Sequence, residues 1–329
     1  MNTLYVTEPG AVVRLSSHSL VVCKGKEKLA QMPLIRLDAV LLFGPVQITT
    51  QAMEALLEEG IEVAFLTSNG KLRGRLHALS AKNVFLRLAQ YERVLDEEFS
   101  LQTAKAIVRA KLRHTEKLLQ RYAARIDDEQ IGQSLEAVGS ACRRIERAQT
   151  IGSLMGVEGG AAAAYFRAFG RLLRGDFTFQ ERSRRPPKDP VNALLSLGYT
   201  LVFNELFALA AAHGLDPYLG FLHGAVYGRP SLALDLEKEF RAPVVDRFVL
   251  KLINRRILQP QHFTTGADGG VYLTAEGRSL FFSHYEKLLR GAAGERTELS
   301  LRDLLKRQVR RMASAIKNRE PYEPFRWRP

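Results

Sequence analysis

The sequence predicts an α+β protein with a small N-terminal β-rich domain followed by a larger all-α domain. With 329 residues, the chain is about twice the common single-domain size, so two domains are expected. Apolar residues alternate with the period of strands up to about residue 80, and from Asn83 onward they follow the period of helices. We therefore place the domains at 1–82 and 83–329, the second ending in a basic tail.

Short apolar runs in the first domain predict strands. Asn69-Gly70 separates the runs 61–67 and 71–76, and this dipeptide favours a tight hairpin turn. One short helix is expected over Thr50 to Glu59, where Gly60 would end it. The predicted strands also include Leu4 to Val6, Val12 to Leu15, Ser19 to Cys23, Ala39 to Phe43 and Val63 to Leu66. No residue pattern in this domain indicates chemistry.

The second domain reads as a series of amphipathic and apolar helices. Helical spacing runs through Phe99 to Ile126 and continues over Gln133 to Met155. A loop rich in Arg and Pro, Arg182 to Pro190, precedes the long apolar segment Val191 to His213. A further helix should begin after Ser300, because Asp303 three residues later resembles a capping box.

Composition excludes several classes of protein. The chain is 46% hydrophobic and 25% charged, which excludes global disorder. Its two cysteines are too few for a disulfide framework or a cysteine-based zinc site, and they favour a reducing compartment. The N-terminus does not resemble a secretion signal, and polar residues interrupt the most apolar stretch. We therefore expect a cytoplasmic protein that does not span a membrane.

The charge balance favours a polyanionic partner. The formal net charge is +13, of which residues 1–85 carry only +2. Such an excess in one domain is typical of nucleic-acid binding, since Lys and Arg release counterions from phosphates. An ordinary soluble basic surface explains the charge equally well.

Three patches of the helical domain carry groups suited to catalysis. Glu158 lies among glycines and alanines, where a carboxylate needs a cation or hydrogen-bond donors; a glutamate at a helix start is the ordinary alternative. His223 follows an apolar Gly-Phe-Leu segment, and such a histidine is more often structural than a ligand. Asp235 and Glu239 share one face of the predicted helix. A charged face of this kind is more often simply exposed to solvent than part of a binding site.

Taken together, the patches predict a divalent metal site. A glutamate, a histidine and a further carboxylate suit Mg²⁺ or Mn²⁺. Such an ion beside a basic groove would polarise a phosphodiester. The sequence therefore predicts phosphoryl chemistry on DNA.

Four blocks of sequence give the chain a specific resemblance to a known family. At these residues it resembles the CRISPR-associated adaptation integrases, the family called Cas-one, over essentially its whole length. The blocks are Gly156-Val157-Glu158-Gly159 with Ala162, Tyr165 and Phe166; Asp189 to Tyr199; Gly220-Phe221-Leu222-His223; and Ser231 to Leu236 with Phe240 to Asp246.

The resemblance implies a β-domain used for homodimer formation and a helical catalytic domain that binds Mg²⁺ or Mn²⁺. Members associate with a small partner, Cas-two, and insert protospacer DNA into a CRISPR repeat. In that reaction a 3′-hydroxyl of the duplex attacks a phosphodiester. By position, Glu158 and His223 match metal ligands and Asp235 matches an active-site acid, so we expect these three residues to be catalytic.

Lys238 departs from the family pattern, because the family usually has a third acidic ligand at that position, three residues after Asp235. An ammonium group cannot coordinate a metal and repels a cation. Three outcomes are open: Glu239 replaces the ligand, Asp235 coordinates directly, or Lys238 pairs with the carboxylates and weakens or abolishes metal binding. The residues expected to contact DNA phosphates, on charge alone, are Arg182, Arg184, Arg185, Lys188, Arg241, Arg310 and Arg311.

The prediction is therefore a metal-dependent DNA endonuclease and integrase that acts in CRISPR adaptation. Two alternatives remain. The chain would be a DNA-binding structural subunit if Lys238 impairs the metal site. The same residues would also serve a repair nuclease that cuts branched DNA outside any CRISPR system.

Overall fold

A computed structural model describes residues 2–68, 70, 72–76, 83–291 and 299–327. The chain separates into two compact units, residues 1–80 and residues 81–329. The first unit is rich in strands and the second is mainly helical, which confirms the predicted α+β class.

The N-terminal unit contains two four-stranded sheets and one helix, α1 (Thr50–Glu58). One sheet has the order β1-β5-β7-β8 and the other β4-β3-β2-β6. A single cluster of buried aliphatic side chains, which includes Val13, Val40 and Leu56, forms its core. The strands are β1 (Asn2–Val6), β2 (Val12–Ser16), β3 (Ser19–Lys24), β4 (Glu27–Pro33), β5 (Leu37–Phe43), β6 (Gln47–Ile48), β7 (Glu62–Leu66) and β8 (Leu72–Leu76).

The predicted strands are confirmed, but two others were missed. Strand β4 is largely exposed and lies at a sheet edge, so it has no apolar run to reveal it. Strand β6 has only two residues. β7 and β8 pair antiparallel as the hairpin predicts. Gly70 has a φ of +85°, which only glycine adopts readily, whereas Asn69 and Lys71 lie outside the described residues.

The second unit is built from nine helices among the described residues. They are α2 (Val84–Leu95), α3 (Glu97–Ala123), α4 (Glu129–Arg144), α5 (Ile151–Phe169), α6 (Pro190–Ala212), α7 (Ser231–Phe240), α8 (Arg247–Asn254), α9 (Ala275–Arg290) and α10 (Leu301–Asn318). The expectation of an all-α unit is wrong in one detail, since β9 (Phe263–Thr265) and β10 (Val271–Leu273) form a small hairpin.

Helix α3 lies at the centre of this unit and packs against α4, α5 and α7. The predicted helical run over 133–155 is divided, because Thr150 caps a new helix by accepting a hydrogen bond from the backbone of Ser153. Ser300 caps α10 through the backbone of Asp303, as its sequence predicts.

Helix α6 explains the most apolar stretch of the sequence. In the part of the chain that the structure describes, it is the one helix long and apolar enough to cross a membrane, with a mean hydropathy of 1.5. Half of that window is buried inside the protein, and a core helix has the same length and composition. Asp189 caps it through the backbone of Asn192, and Pro190 occupies its first turn.

Candidate functional site

Glu158 projects from the middle of α5. It is the eighth residue of that helix, beyond the first turn in which a helix dipole stabilises a carboxylate. The interpretation of Glu158 as a helix-start glutamate is therefore wrong. Its partners come from other helices.

Two lysines hold the Glu158 carboxylate. Lys238 on α7 donates to Oε1 of Glu158 at 2.8 Å, and Lys111 on α3 donates to the same oxygen. The three side chains are largely buried, with exposures of 14% for Glu158, 10% for Lys111 and 6% for Lys238. Of the three outcomes open for Lys238, pairing with a carboxylate is the one this arrangement displays.

Burial and charge act in opposite directions on this cluster. Burial raises the pKa of Glu158, but the two ammonium groups outweigh it and hold that pKa well below its usual range. Burial and the repulsion of Lys238 lower the pKa of Lys111 to about 7. Burial likewise lowers the pKa of Lys238, against the attraction of Glu158. Two cations thus compete for one carboxylate.

Asp235 is fully engaged with the loop that carries His223. Its Oδ2 accepts hydrogen bonds from the backbone N–H groups of Phe221 and Leu222, at 2.8 and 2.9 Å. Its Oδ1 contacts Nδ1 of His223 at 2.5 Å. This carboxylate–histidine pair orients the imidazole and directs its Nε2 away from Asp235, the arrangement that also supports metal-binding histidines.

Gly220 allows the loop to come this close to α7. A Cβ at that position would lie 2.6 Å from Oδ2 of Asp235 and 2.6 Å from the backbone carbon of Ser231. Because backbone cannot yield to such a contact, only glycine fits. The Gly-Phe-Leu-His segment is therefore shaped to receive the Asp235 carboxylate.

Glu239 faces the C-terminal segment instead. Its Oε1 accepts from the hydroxyl of Tyr322 at 2.5 Å and its Oε2 from the backbone N–H of Phe325 at 2.6 Å. Trp327 donates its backbone N–H to His114 at 3.1 Å. The aromatic residues of this segment are buried while Arg326 is exposed. For Glu239 to replace a metal ligand, its bonds to the segment would have to break.

Two tyrosines of the sequence blocks have a structural explanation. Tyr165 donates to Oδ2 of Asp246 at 2.7 Å, and Tyr199 donates to Oδ1. Arg241 lies over the Tyr199 ring at 4.9 Å and pairs with Glu237 at 2.8 Å. These contacts connect α5 and α6 with the segment that follows α7.

The arginines and lysines predicted to contact DNA fall into two groups. Arg182 donates to Asn192 at 2.6 Å and to Ser196 at 3.0 Å, so it anchors its loop to α6. Arg241 is likewise engaged internally. Arg311 lies 4.0 Å from Glu323. The exposed members are Arg184, Arg185, Lys188 and Arg310, and their DNA contacts stay a prediction.

Sequence reasoning missed Lys111. Its neighbours at helical spacing, Ile107, Val108 and Thr115, are buried, so Lys111 lies on a buried face of α3. A lysine on such a face requires an anionic partner. That pattern was the available signal, but it could not identify the partner.

Comparison with known proteins decides the family. The sequence profile described as CRISPR associated protein Cas1 matches residues 4–287. The chain belongs to the Cas1 family. A Cas1 relative from Thermus thermophilus, named CRISPR-associated endonuclease Cas1 3, is 35% identical over 98% of this chain and 95% of its own length.

Solved Cas1 structures share this fold. A Cas1 protein from Thermotoga maritima superposes with a TM-score of 0.84 at 27% identity, covering all of both chains. A chain of a Cas6-RT-Cas1–Cas2 complex also superposes with a TM-score of 0.84 at 26% identity; the match covers 99% of this chain and 36% of that one.

The side chains of this Cas1 do not fit a bound divalent cation as they are arranged. Oε1 of Glu158 already contacts two ammonium groups, which would repel a metal ion. Both oxygens of Asp235 accept hydrogen bonds. Among the described residues, no three His, Cys, Asp or Glu side chains form a group able to hold a metal. The structure brings His223 and Asp235 together but does not gather Glu158 with them as ligands.

Proposed function

We propose that this chain acts in CRISPR adaptation as a DNA-binding Cas1 subunit whose Glu158 site is neutralised by lysines. Its partners would be protospacer and repeat DNA, a second copy of the chain and Cas2, in the cytoplasm. Family membership and the similarity to a Cas1–Cas2 complex support the adaptation role. The exposed basic residues of the loop before α6 support phosphate binding.

One observation carries the structural-subunit version: Lys238, at the position where the family resemblance implies an acidic ligand, contacts Glu158 at 2.8 Å. Lys111 contacts the same oxygen. An ammonium group neutralises the carboxylate that a metal would need. Asp235 holds the loop and the imidazole of His223 in place, and the lysines hold the Glu158 carboxylate.

A metal-dependent endonuclease and integrase is the second candidate. The observation in its favour is the Asp235–His223 pair, which orients the imidazole. Glu158 is also present at the position that the family resemblance implies for a metal ligand. Mg²⁺ or Mn²⁺ would supply Lewis-acid activation of a phosphodiester. Both lysines would have to leave Glu158 for this candidate to hold.

A strand-transfer assay separates the two candidates. The substrates are a labelled duplex with free 3′-hydroxyls and a repeat-containing target, with Cas2 present in Mn²⁺. We expect the native chain to bind both DNAs without joining them, and Lys238→Glu to gain joining. If the native chain joins them and Glu158→Ala stops it, the metal-dependent integrase is the right assignment. A labelled branched DNA is tested in parallel, and its cleavage by a chain that does not join the duplex to the repeat would instead indicate a repair nuclease.

A further inference from the structure

The cluster around Glu158 contains three basic side chains, Lys111, Lys238 and Arg241. Only two carboxylates, Glu158 and Glu237, contact them directly. Lys111 and Lys238 share one oxygen of Glu158. Arg241 lies near enough to lower the pKa of Lys238 by repulsion, after the larger effect of burial. It has its own partner, Glu237, but its Nε is buried with no hydrogen-bond partner among the described residues. Asp235 also attracts Lys238, and Asp246 attracts Arg241, so the repulsion that an anion from outside would relieve is the one between the two lysines that share Glu158.

The cluster reaches solvent beside α5. The side chains of Glu158 and Arg241 are 14% and 19% exposed. A Cβ added at Gly156, Gly159 or Gly160 would meet no atom within 4 Å. Each glycine inside a helix costs about 1 kcal/mol relative to alanine, and packing within the chain does not explain them. Residues two positions apart point to nearly opposite sides of a helix, so only Gly159 lies beside Glu158, and a nucleic-acid backbone can approach the carboxylate over that glycine.

We propose that Lys238, together with Lys111, takes the place of a divalent cation in this chain and binds a DNA phosphate directly. The inference rests on the proposed function, since it needs a chain that binds DNA. A bound phosphate would favour the protonated form of Lys111, and two protonated lysines carry the same formal charge as one divalent ion. Each ammonium has three N–H donors, so each lysine keeps donors beyond its bond to Glu158. Lysine is also a common phosphate ligand. DNA binding at this site is then independent of metal.

Binding of Mn²⁺ alone, measured by titration calorimetry, tests the first half. We expect no saturable binding by the native chain and one Mn²⁺ per chain for Lys238→Glu, which restores the acidic ligand. Adding Glu158→Gln to that variant should abolish the binding. Lys251→Glu is the matched control, because it makes the same charge change at an exposed position of α8 and should bind no Mn²⁺. Saturable Mn²⁺ binding by the native chain that is lost in Glu158→Gln overturns the inference.

Duplex DNA binding in EDTA and in Mn²⁺ tests the second half. The native chain should bind equally in both. Lys238→Met and Lys111→Met, two variants so that one folding failure is not decisive, should each weaken binding about tenfold and reduce the slope of log K against log salt by about 0.9. Arg113→Gln, an exposed residue of α3, controls for general charge loss.

These DNA-binding measurements distinguish failure of the inference from failure of the proposed function. If the native chain binds duplex DNA only with Mn²⁺, or if both methionine variants bind as Arg113→Gln does, the inference is overturned while the DNA-binding function stands. If the native chain binds no duplex in either buffer, the proposed function itself fails and the inference fails with it.

Discussion

Two buried glutamates of the helical unit, Glu158 and Glu239, show opposite electrostatics. The pKa of Glu158 is held well below its usual range by two lysines, even though burial raises it. Burial raises the pKa of Glu239 to about 8, against the hydrogen bonds that it accepts from Tyr322 and Phe325. Both carboxylates accept two hydrogen bonds; they differ in whether the donors are cationic or neutral.

The difference shows what each region is suited to do. The Glu158 region concentrates charge around a partly exposed carboxylate, whereas the Glu239 region encloses its carboxyl group under aromatic side chains. Charged donors stabilise an ionised carboxylate far more than neutral donors do. Ion binding therefore belongs to the first region, and attachment of the C-terminal segment to the second.

Removing both cations from Glu158 should have the largest effect on stability. In the double variant Lys111→Met/Lys238→Met the ionised carboxylate is left buried without a partner, which costs about 3 to 5 kcal/mol. Urea denaturation at neutral pH measures this loss. It should shrink in acid, because protonation of Glu158 removes the unpaired charge. Adding Glu158→Gln should recover most of the stability; no recovery would show that the lysines stabilise the fold in another way.

Titration of Glu239 should produce a smaller, pH-dependent effect. Since its folded pKa of about 8 lies above the ordinary value of 4.5, the folded chain binds more protons than the unfolded chain between these values. Stability is therefore fully present below the lower value and is lost as pH rises through the upper one. From about pH 5.5 to 7 the free energy of unfolding should fall by up to about 2 kcal/mol. Glu239→Gln should remove this decrease, and an equally steep profile in that variant would contradict the assignment.

Gly160→Ala should have the smallest effect on stability, and it should stabilise the fold. A Cβ there meets no atom within 4 Å, so the helix should gain about 0.5 to 1 kcal/mol, seen as a higher melting temperature. Gly170→Ala is the contrasting variant, because its Cβ would lie 2.4 Å from the backbone oxygen of Phe179 and should destabilise the fold. A loss of stability in Gly160→Ala would mean that α5 is not open at this position.

Much of the fold could be predicted from local patterns. The strands of the first unit, the start of α10 at Ser300 and the long apolar α6 all follow from short-range periodicity and capping. Strand β4 could not be predicted, because its exposed residues carry no apolar pattern. The break before Thr150 was missed since the apolar spacing continues across it.

The candidate site was predicted only in part. His223 and Asp235 do come together, as the sequence blocks imply. The role of Glu239 was not readable, because Tyr322 and Phe325 lie more than 80 positions along the chain from it. The sequence showed Lys238 as a departure but did not show what it contacts.

By itself, the sequence determined the two-part architecture, the Cas1 family and the residue types available for a site, since each depends on composition or on neighbours along the chain. Only the tertiary structure determined which groups each charged side chain of the site contacts. Lys111 and Lys238 are 47 and 80 positions from Glu158, and only the packing of α3, α5 and α7 brings them to one oxygen. Electrostatic energy depends on distance in space, so the ionisation of these carboxylates is a property of the fold.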